Sequence, residues 1–596
     1  MKNQNISKRQ SQIRTMNKLL FLHIEGLSKY RPISLNLSNE FDISIDRDDN
    51  LQIQRSTNHL KPLLGENIFD INVLAGENGT GKSKLLRIIA EIISGSRAND
   101  GKEYKYLAVI SEEQNKISIV NHLDRPIQYD KNSGYFDITE RGPGNSLVER
   151  QVIYYSPYLD FNLLDFPTSQ LKFPVQDISQ TQLMIRDAEI HQWKQGGQES
   201  ILAHKFENAN RQLRFLVRAK DNVFKLPFDE PKSVDIFVNR LQVKTDDLSI
   251  EARSIYNVLT ESLNEHLKDA KKMHLKKIEA KVIFLRNLLS AYFAAVNNDR
   301  IKSTLGFMYE KKLVQSIANL HKPKPTQVIK LVEDFFKEED FFRLDIFSRL
   351  ASLVFDIIDS IKNQSMLEMD DERLMMRMEV HSPFVDAIFS YFRSEGSAKQ
   401  KLIYKELYRL FNFEWQNLSS GEKSFFDLFS RLDYAKGNIK KEKRSTLVIL
   451  DEAEAGFHPK WQIQYLSFLK AFFNYCFSDT DVQLLLATHS PLVLSDFPSK
   501  HVHLLKKEDG IITKQEPLGT FAQNISVLLA DEFFLNKTLV GDLAREYINQ
   551  LIARINNLED AIDTTYYHEV EEAIAQIDEP IIKKLLMNQL QRSGHA

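Results

Sequence analysis

GENGTGKS, Gly76 to Ser83, is the stretch that decides the fold. It fits G-x-x-x-x-G-K-[ST], the pattern of a loop that cradles phosphates. Glycine at Gly76, Gly79 and Gly81 lets backbone N–H groups turn toward an anion, with Glu77, Asn78 and Thr80 completing the turn. The helix that follows adds its positive end. Lys82 is placed to neutralise β- and γ-phosphates, and the Ser83 hydroxyl to ligate Mg²⁺. The flanks match: an apolar run over Ile71 to Leu74 precedes the loop, and KLLRIIAEII from Lys84 carries apolar residues at helical spacing.

Three further motifs follow in a fixed order: LSSGE at Leu418 to Glu422, LVILDE at Leu447 to Glu452, and ATHS at Ala487 to Ser490. Asp451 ends an apolar strand, where it can bind Mg²⁺, and Glu452 beside it can polarise an attacking water. His489 follows the run LLLAT, where its imidazole can reach a γ-phosphate. LSSGE opens a helix whose N-terminus, with Ser419, Ser420, Gly421 and Glu422, can face the γ-phosphate of ATP bound to a second protomer. Order and chemistry together describe an ABC-type ATPase with ATP and Mg²⁺ as its cofactors. One chain has one P-loop and one signature, so two copies are expected to close two composite sites. EAGFHP, Glu454 to Pro459, is the segment expected to cross the dimer seam. A glutamine usually follows the middle strand of such ATPases. Gln151 lies before VIYYS rather than after it, so the lid position has no assignment.

The chain has 596 residues, 42% hydrophobic and 27% charged, which is ordinary for a globular protein of several domains. A formal net charge of −3 argues against a uniformly basic nucleic-acid binder, so any such footprint must be local. A single cysteine, Cys476, rules out an intrachain disulfide framework and thiolate metal clusters. The first sixteen residues are polar and basic without an apolar core, so they read as a disordered leader and not a secretory signal. The apolar runs are far shorter than the roughly 20 residues that span a bilayer. The expectation is a cytoplasmic protein that does not cross a membrane.

The fold class expected is α/β: an ABC-type P-loop ATPase head, with N-terminal antiparallel β structure and a central, mainly parallel sheet, carrying a large helical insertion and a helical C-terminal module. Residues 17–160 form the first ATPase lobe, with FLHIEGL, ISLNLS, FDISID and LQIQ alternating at a period near two as one antiparallel meander. Residues 161–400 read as a mainly helical insertion or short arm. Its clearest piece, Ile255 to Val296, would reach roughly 60 Å as one unbroken helix. HKPKPTQ at His321 to Gln327 is expected to turn the chain. No heptad series is sustained over the length of an SMC-type arm. Residues 401–515 hold signature, acidic pair and histidine, closing on a hairpin at VHLLKKEDGIITK. Residues 516–596 return to helix patterning.

LDEAEAGFHP with ATHSPLVLSD resembles the pattern of the RecF, OLD and SMC-related branch of ABC ATPases, with Ala453 in place of a usual proline. OLD proteins carry a TOPRIM nuclease needing a D-x-D, and none follows His489, so nuclease activity is not expected. TFAQNISVLLADEFFLNKTLVGDLARE, Thr520 to Glu546, is similar to a stretch of the PtuA-type ATPases of antiphage defence, from Septu systems and related retron operons. That resemblance implies an ATPase controlling a separate HNH nuclease, PtuB, and in retron operons also a reverse transcriptase with its RNA–DNA product. Two rivals are a RecF-like ATPase that clamps DNA itself in repair or maintenance, and a nucleotide-locked scaffold with little turnover.

Other features are read more plainly. The basic clusters KGNIKKEKR, Lys436 to Arg444, and KKMHLKK, Lys271 to Lys277, are expected to be solvated loops before they are nucleic-acid contacts. DFFKEEDFFRLDIF, Asp334 to Phe347, reads as helix core or interface. IEAK, Ile278 to Lys281, echoes an E-x-K nuclease triplet but falls in a helix pattern.

Overall fold

The computed structural model describes residues 18–56, 67–94, 104–111, 116–130, 137–141, 151–160, 175–190, 198–219, 224–296 apart from 242, 244 and 249, 345–392 apart from 371, 407, 409–439, 445–531 apart from 518, 541–556 and 564–593. The leader, HKPKPTQ, most of DFFKEEDFFRLDIF and the Lys440 to Arg444 end of the basic cluster lie outside them.

Continuous apolar runs form the centre, as expected for parallel strands covered on both faces. The seven-stranded sheet runs Val175–Asp177, Gln151–Tyr155, Ser445–Asp451, Asp481–Ala487, Ile68–Gly76, Val502–Glu508, Ile511–Gln515. Neighbours are parallel until the last pair, which is the antiparallel hairpin. Side chains alternate between two cores. Leu447, Ile449, Tyr154, Leu485 and Leu74 pack with Leu85, Leu86 and Ile89 of the helix Lys82–Ser94. Val448, Leu450, Tyr155, Leu484 and Val73 face the larger core shared with the insertion and the signature helix Ser420–Gly437. This is the α/β head of an ABC-type P-loop ATPase.

The N-terminal strands do not form one meander. Lys18–Glu25 pairs antiparallel with Ile33–Asn36 and, on its other edge, with Lys105–Ser111. Phe41–Ile45 and Asn50–Arg55 pair in a separate three-stranded sheet. The reason is burial. Nearly every residue of Lys18–Glu25 is covered, so alternation within it does not mark a solvent face, and both its edges need partners.

The pattern over Ile255 to Val296 is two helices rather than one, Ile250–Lys272 and Lys276–Val296. His274 adopts φ 54°, and the bonds from Leu275 N–H to Ala270 C=O at 3.0 Å and from His274 N–H to Lys271 C=O at 3.1 Å close a Schellman turn. The helices fold back antiparallel. Tyr256 Oη meets Ser290 Oγ at 3.3 Å, and Arg286 Nη1 donates to Asn264 Oδ1 at 3.1 Å. IEAK sits in the second helix. The same region contains strands that its composition concealed: Leu367–Met369, Leu374–Glu379 and Ser233–Val238 join Phe411–Trp415 in an antiparallel sheet. Phe411–Trp415 lies beyond residue 400, so this sheet ties insertion and second lobe together. Helices Asp542–Asn556, Thr564–Ala575 and Pro580–Ser593 have a core of their own around Leu551, Ile555, Val570, Ile574, Leu586 and Leu590. Among the described residues, no helix is long and apolar enough to cross a membrane.

Close packing behind the glycine loop generates a stability prediction. A Cβ on Gly76, at φ 138°, would lie 2.1 Å from Leu505 C=O, whereas a Cβ on Gly79, at φ 79°, meets nothing within 4 Å. Gly79→Ala should therefore cost about 1 kcal/mol through its backbone conformation. Gly76→Ala should cost roughly 3 kcal/mol or more, because backbone must move. Urea unfolding of both variants checks the ranking.

Candidate functional site

The register of the central sheet assembles the site. Asp451 pairs with Ala487, and Ala487 with Leu74, so the acidic pair, the histidine and the glycine loop emerge at one end of neighbouring strands. Asp451 shares the face of Leu447 and Ile449, toward the first turn of the helix Lys82–Ser94. The turn itself is shaped by Gly76, Gly79 and Gly81 at positive φ, by Thr80, whose hydroxyl donates to Glu77 C=O at 2.8 Å, and by Tyr30, whose hydroxyl donates to Gly81 C=O at 2.9 Å. Asn78 and Gly79 are exposed at its tip.

Lys82 is buried, and its ammonium donates to Gly76 C=O and Glu77 C=O, each at 3.1 Å, and to His489 Nδ1 at 3.3 Å. The other ring nitrogen, Nε2, lies 2.8 Å from Glu452 Oε1. With Nδ1 accepting from lysine, the proton belongs on Nε2, which donates to the carboxylate. Lys82, His489 and Glu452 thus form one hydrogen-bonded chain. Burial pulls the lysine down to about 8, against the charges of Glu452, Asp451 and Glu454, which favour the ammonium.

Glu452 takes φ 51° and donates its N–H to Ala487 C=O at 3.0 Å, a tight turn at the strand end. Burial opposes its ionisation. Hydrogen bonds from His489 and Tyr158, with the Lys82 charge, outweigh it and hold the carboxyl below its ordinary range. Asp451 is pushed the other way, by burial above all and by the neighbouring Glu452 charge. Its Oδ2 accepts from the Tyr154 hydroxyl at 2.8 Å. Its Oδ1 is buried without a hydrogen bond, and the Ser83 hydroxyl beside the carboxyl favours the charged form. An open carboxylate oxygen beside a hydroxyl is an oxygen donor set suited to Mg²⁺.

Glu454 lies wholly buried, accepting from Thr488 Oγ1, and burial raises its carboxyl to about 7. The loop it opens runs to the signature. Gly456, at φ 83°, packs on Ser424, and its carbonyl abuts Gly421 so closely that a Cβ there would lie 3.0 Å away. Gln462 Nε2 donates to Phe457 C=O at 3.1 Å while its Oε1 accepts from Ser490 Oγ at 2.7 Å, binding the loop to the histidine segment.

The signature residues sit beside this loop and not in the Lys82 cluster. Ser419 and Glu422 form a reciprocal cap: Glu422 N–H donates to Ser419 Oγ at 3.3 Å and Ser419 N–H to Glu422 Oε2 at 2.6 Å. Ser419 and Ser420 are exposed. The structure therefore brings Lys82, Ser83, Asp451, Glu452 and His489 together and presents Ser419 to Glu422 outward. Sequence reading missed Tyr154 and Tyr158. VIYYS carries the clue to Tyr154, since its parallel pairing with Ser445–Asp451 sets that tyrosine opposite Ile449, on the face of the sheet that Asp451 shares.

Residues 272–495 match the family model described as "AAA domain, putative AbiEii toxin, Type IV TA system". A stretch of 120 residues is 31% identical to the retron Vc95 probable ATPase of Vibrio cholerae serotype O1 biovar El Tor, covering 19% of this chain and 22% of that protein. Over 155 residues it is 28% identical to the Septu protein PtuA of Bacillus mycoides (strain KBAB4), covering 25% of this chain and 21% of PtuA. The chain resembles the PtuA-type ATPases. It spans about a fifth of the length of the curated relatives it matches. Among solved structures, the recombination mediator protein RecF-ATPrS matches at 12% identity over 84% of this chain and 99% of that one, with a TM-score of 0.22, too low to bear on the fold. The fold rests on its own strand order.

Two pH effects follow. A triphosphate brought to Lys82 restores its affinity for a proton, so nucleotide binding at pH 8 should take up about half a proton at this residue, and almost none at pH 6. Calorimetry in buffers of different ionisation enthalpy reads the uptake, and Lys82→Arg should remove it. For Glu454 the folded carboxyl titrates near 7 and the unfolded one near 4.5, so the native state holds the extra proton between them. Its stabilisation is full below pH 4.5 and is lost as pH rises through 7, a swing on the order of 3 kcal/mol. Glu454→Gln should flatten that dependence and raise the urea midpoint at pH 8 relative to the parent.

Proposed function

We propose that this chain is an Mg²⁺-dependent ATPase that closes as an ATP-sandwiched dimer and controls a separate effector nuclease in antiphage defence. The observation that carries the reading is the chain of bonds from Lys82 through His489 to Glu452, with the signature residues Ser419 and Ser420 exposed and outside it. A complete hydrolytic corner and an outward signature suit one another only across two copies. The names of the relatives, a retron ATPase and a Septu PtuA, support the defence setting.

In the working state Lys82 turns from the Gly76 and Glu77 carbonyls to the β- and γ-phosphates, which releases His489 Nδ1. Glu452 accepts a proton from water as the water oxygen attacks the γ-phosphorus and the bond to the ADP oxygen breaks. His489 keeps the carboxylate aimed through its Nε2–H. Mg²⁺, held by Ser83 and Asp451, would neutralise charge on the β- and γ-phosphates. Tyr154 fixes Asp451 by its hydroxyl bond, leaving Oδ1 free to ligate. The Glu454 to Pro459 loop transmits a shift of the signature helix to the acidic pair, since Gly456 touches both Gly421 and Ser424. The partner is proposed to be an HNH nuclease of PtuB type, with a reverse transcriptase and its RNA–DNA product in a retron setting. The separately cored C-terminal helices favour docking of a partner over a DNA clamp.

Lys82→Ala should abolish ATP binding, and Glu452→Gln should bind ATP and remain a dimer through at least a hundredfold slower turnover. Light scattering during size exclusion, with ATP and Mg²⁺, checks both. Native pull-down from the chain's own operon tests the partner. An HNH-type protein should be recovered, whereas recovery of this chain with DNA alone would favour the RecF-like clamp.

A further inference from the structure

The glycine loop is held at both ends from one hairpin. Val502–Glu508 runs beside Ile68–Gly76 with Leu505 opposite Gly76, and a Cβ on Gly76 would lie 2.1 Å from Leu505 C=O, so the loop begins hard against that strand. Its other end is reached through Tyr30. The residues on either side of Tyr30 are bonded to the hairpin's second strand: Ile512 N–H donates to Lys29 C=O at 2.7 Å, and Arg31 N–H to Ile512 C=O at 2.9 Å. Lys29 takes φ 71°, and Tyr30 N–H donates to Leu27 C=O at 3.1 Å. The backbone of Tyr30 is therefore fixed before its side chain makes any contact.

The Tyr30 hydroxyl donates to Gly81 C=O at 2.9 Å, and the same carbonyl accepts from Leu85 N–H at 2.9 Å, a bond of the first turn of the helix Lys82–Ser94. Both lone pairs of that oxygen are used. A peptide unit is planar and trans, so a carbonyl held by two donors aims the N–H of its own unit, that of Lys82, the opposite way, out of the helix N-terminus. This N–H belongs to the set that meets a phosphate. The fit is close: a Cβ on Gly81, at φ 74°, would lie 1.9 Å from Tyr30 Oη, 2.9 Å from Tyr30 Cζ and 3.4 Å from Ile512 Cδ1. Glycine at this position thus makes room for the tyrosine as well as for the turn. Burial pushes the Tyr30 hydroxyl up to about 12, so it remains a donor at neutral pH.

We propose that Tyr30 is a positioning residue for the phosphate-binding loop: through the Gly81 carbonyl it aims the Lys82 N–H at a bound phosphate, and it ties that aim to the hairpin Val502–Gln515. The inference rests on the reading of Gly76 to Ser83 as the loop that holds ATP. Two tasks are thereby divided. The Lys82 ammonium supplies charge, whereas Tyr30, its hydroxyl engaged by the carbonyl, acts only by keeping backbone donors in place. Such preorganisation serves bound substrate and transition state alike, so its loss weakens binding without slowing the chemical step.

Tyr30→Phe keeps the ring against Ile512 and removes the donor. Displacement of a fluorescent ATP analogue should show the affinity for ATP, ADP and inorganic triphosphate about tenfold lower, with kcat at saturating ATP within about twofold of the parent. Inorganic triphosphate has neither base nor sugar, so an equal loss for it locates the effect at the phosphates. 4-Aminophenylalanine at position 30 restores a donor and should bring the triphosphate affinity back to within about threefold of the parent. 3-Fluorotyrosine at the same position leaves the bond intact and should shift its ¹⁹F resonance when triphosphate binds, a reading that needs no destabilising change. Parental affinity in Tyr30→Phe, a loss that 4-aminophenylalanine does not recover, or a ¹⁹F signal indifferent to triphosphate would overturn the inference. Lys82→Ala, assayed alongside, separates the two levels. If it loses triphosphate while Tyr30→Phe binds as the parent does, only the role of Tyr30 fails. If it binds ATP and triphosphate as the parent does, the reading of the loop fails and the role of Tyr30 falls with it.

Discussion

The parallel ladder that seats Asp451 opposite Ala487, and Ala487 opposite Leu74, is the constraint on which everything else depends. It joins three strands from distant parts of the chain and brings their ends to one level. Because a register slip of one residue would turn every side chain to the opposite face, the two cores on either side of the sheet lock the alignment. Leu447 and Ile449 cannot leave the core of the P-loop helix without carrying Asp451 away from Ser83. The geometry of the site is thus a by-product of hydrophobic burial, stabilised by residues with no chemistry of their own.

That geometry concentrates charge. Asp451, Glu452 and Glu454 fall within four residues of one another and face a single buried ammonium, Lys82. Burial acts on all three: it keeps a proton on Glu454 up to about pH 7, raises Asp451, and opposes the ionisation of Glu452, which His489 above all, with Tyr158 and the Lys82 charge, nonetheless holds below its ordinary range. A polyanion entering such a site needs compensating cations, which is the physical case for a divalent ion on the free oxygen of Asp451. The site is built to be completed from outside. The same holds for the signature, whose cap is satisfied internally by Ser419 and Glu422 while the adjoining surface stays exposed.

Much of the central sheet could be read in advance because buried parallel strands are short, continuous apolar runs, and because glycine in GENGTGKS has a steric reason at each turn. The closing hairpin and the break of the chain into alternating strands and helices were legible for the same cause. Sequence reading failed where context outweighed pattern. Lys18–Glu25 is covered almost throughout, so alternation suggested a meander where two sheets form. The apolar stripe from Ile255 to Val296 continues across a Schellman turn, since both helices of the hairpin face one core and only His274 at positive φ marks the reversal. LMMRME hid its strand because methionine carries little β preference. Tyr154 was invisible as a partner of Asp451, because that contact is set by a register between strands nearly three hundred positions apart rather than by any local motif.

The central claim is that catalysis needs the P-loop of one copy and the signature of another. Mixing two inactive variants tests it most directly: Lys82→Ala, which spoils the P-loop, and Ser420→Arg, which blocks the exposed start of the signature helix. In a mixed dimer one composite site carries both defects and the other carries neither. The account predicts that ATPase activity, absent from each variant alone, returns on mixing in equal amounts and rises with total concentration. A mixture as inactive as its components, with mixed dimers shown to be present, would contradict it.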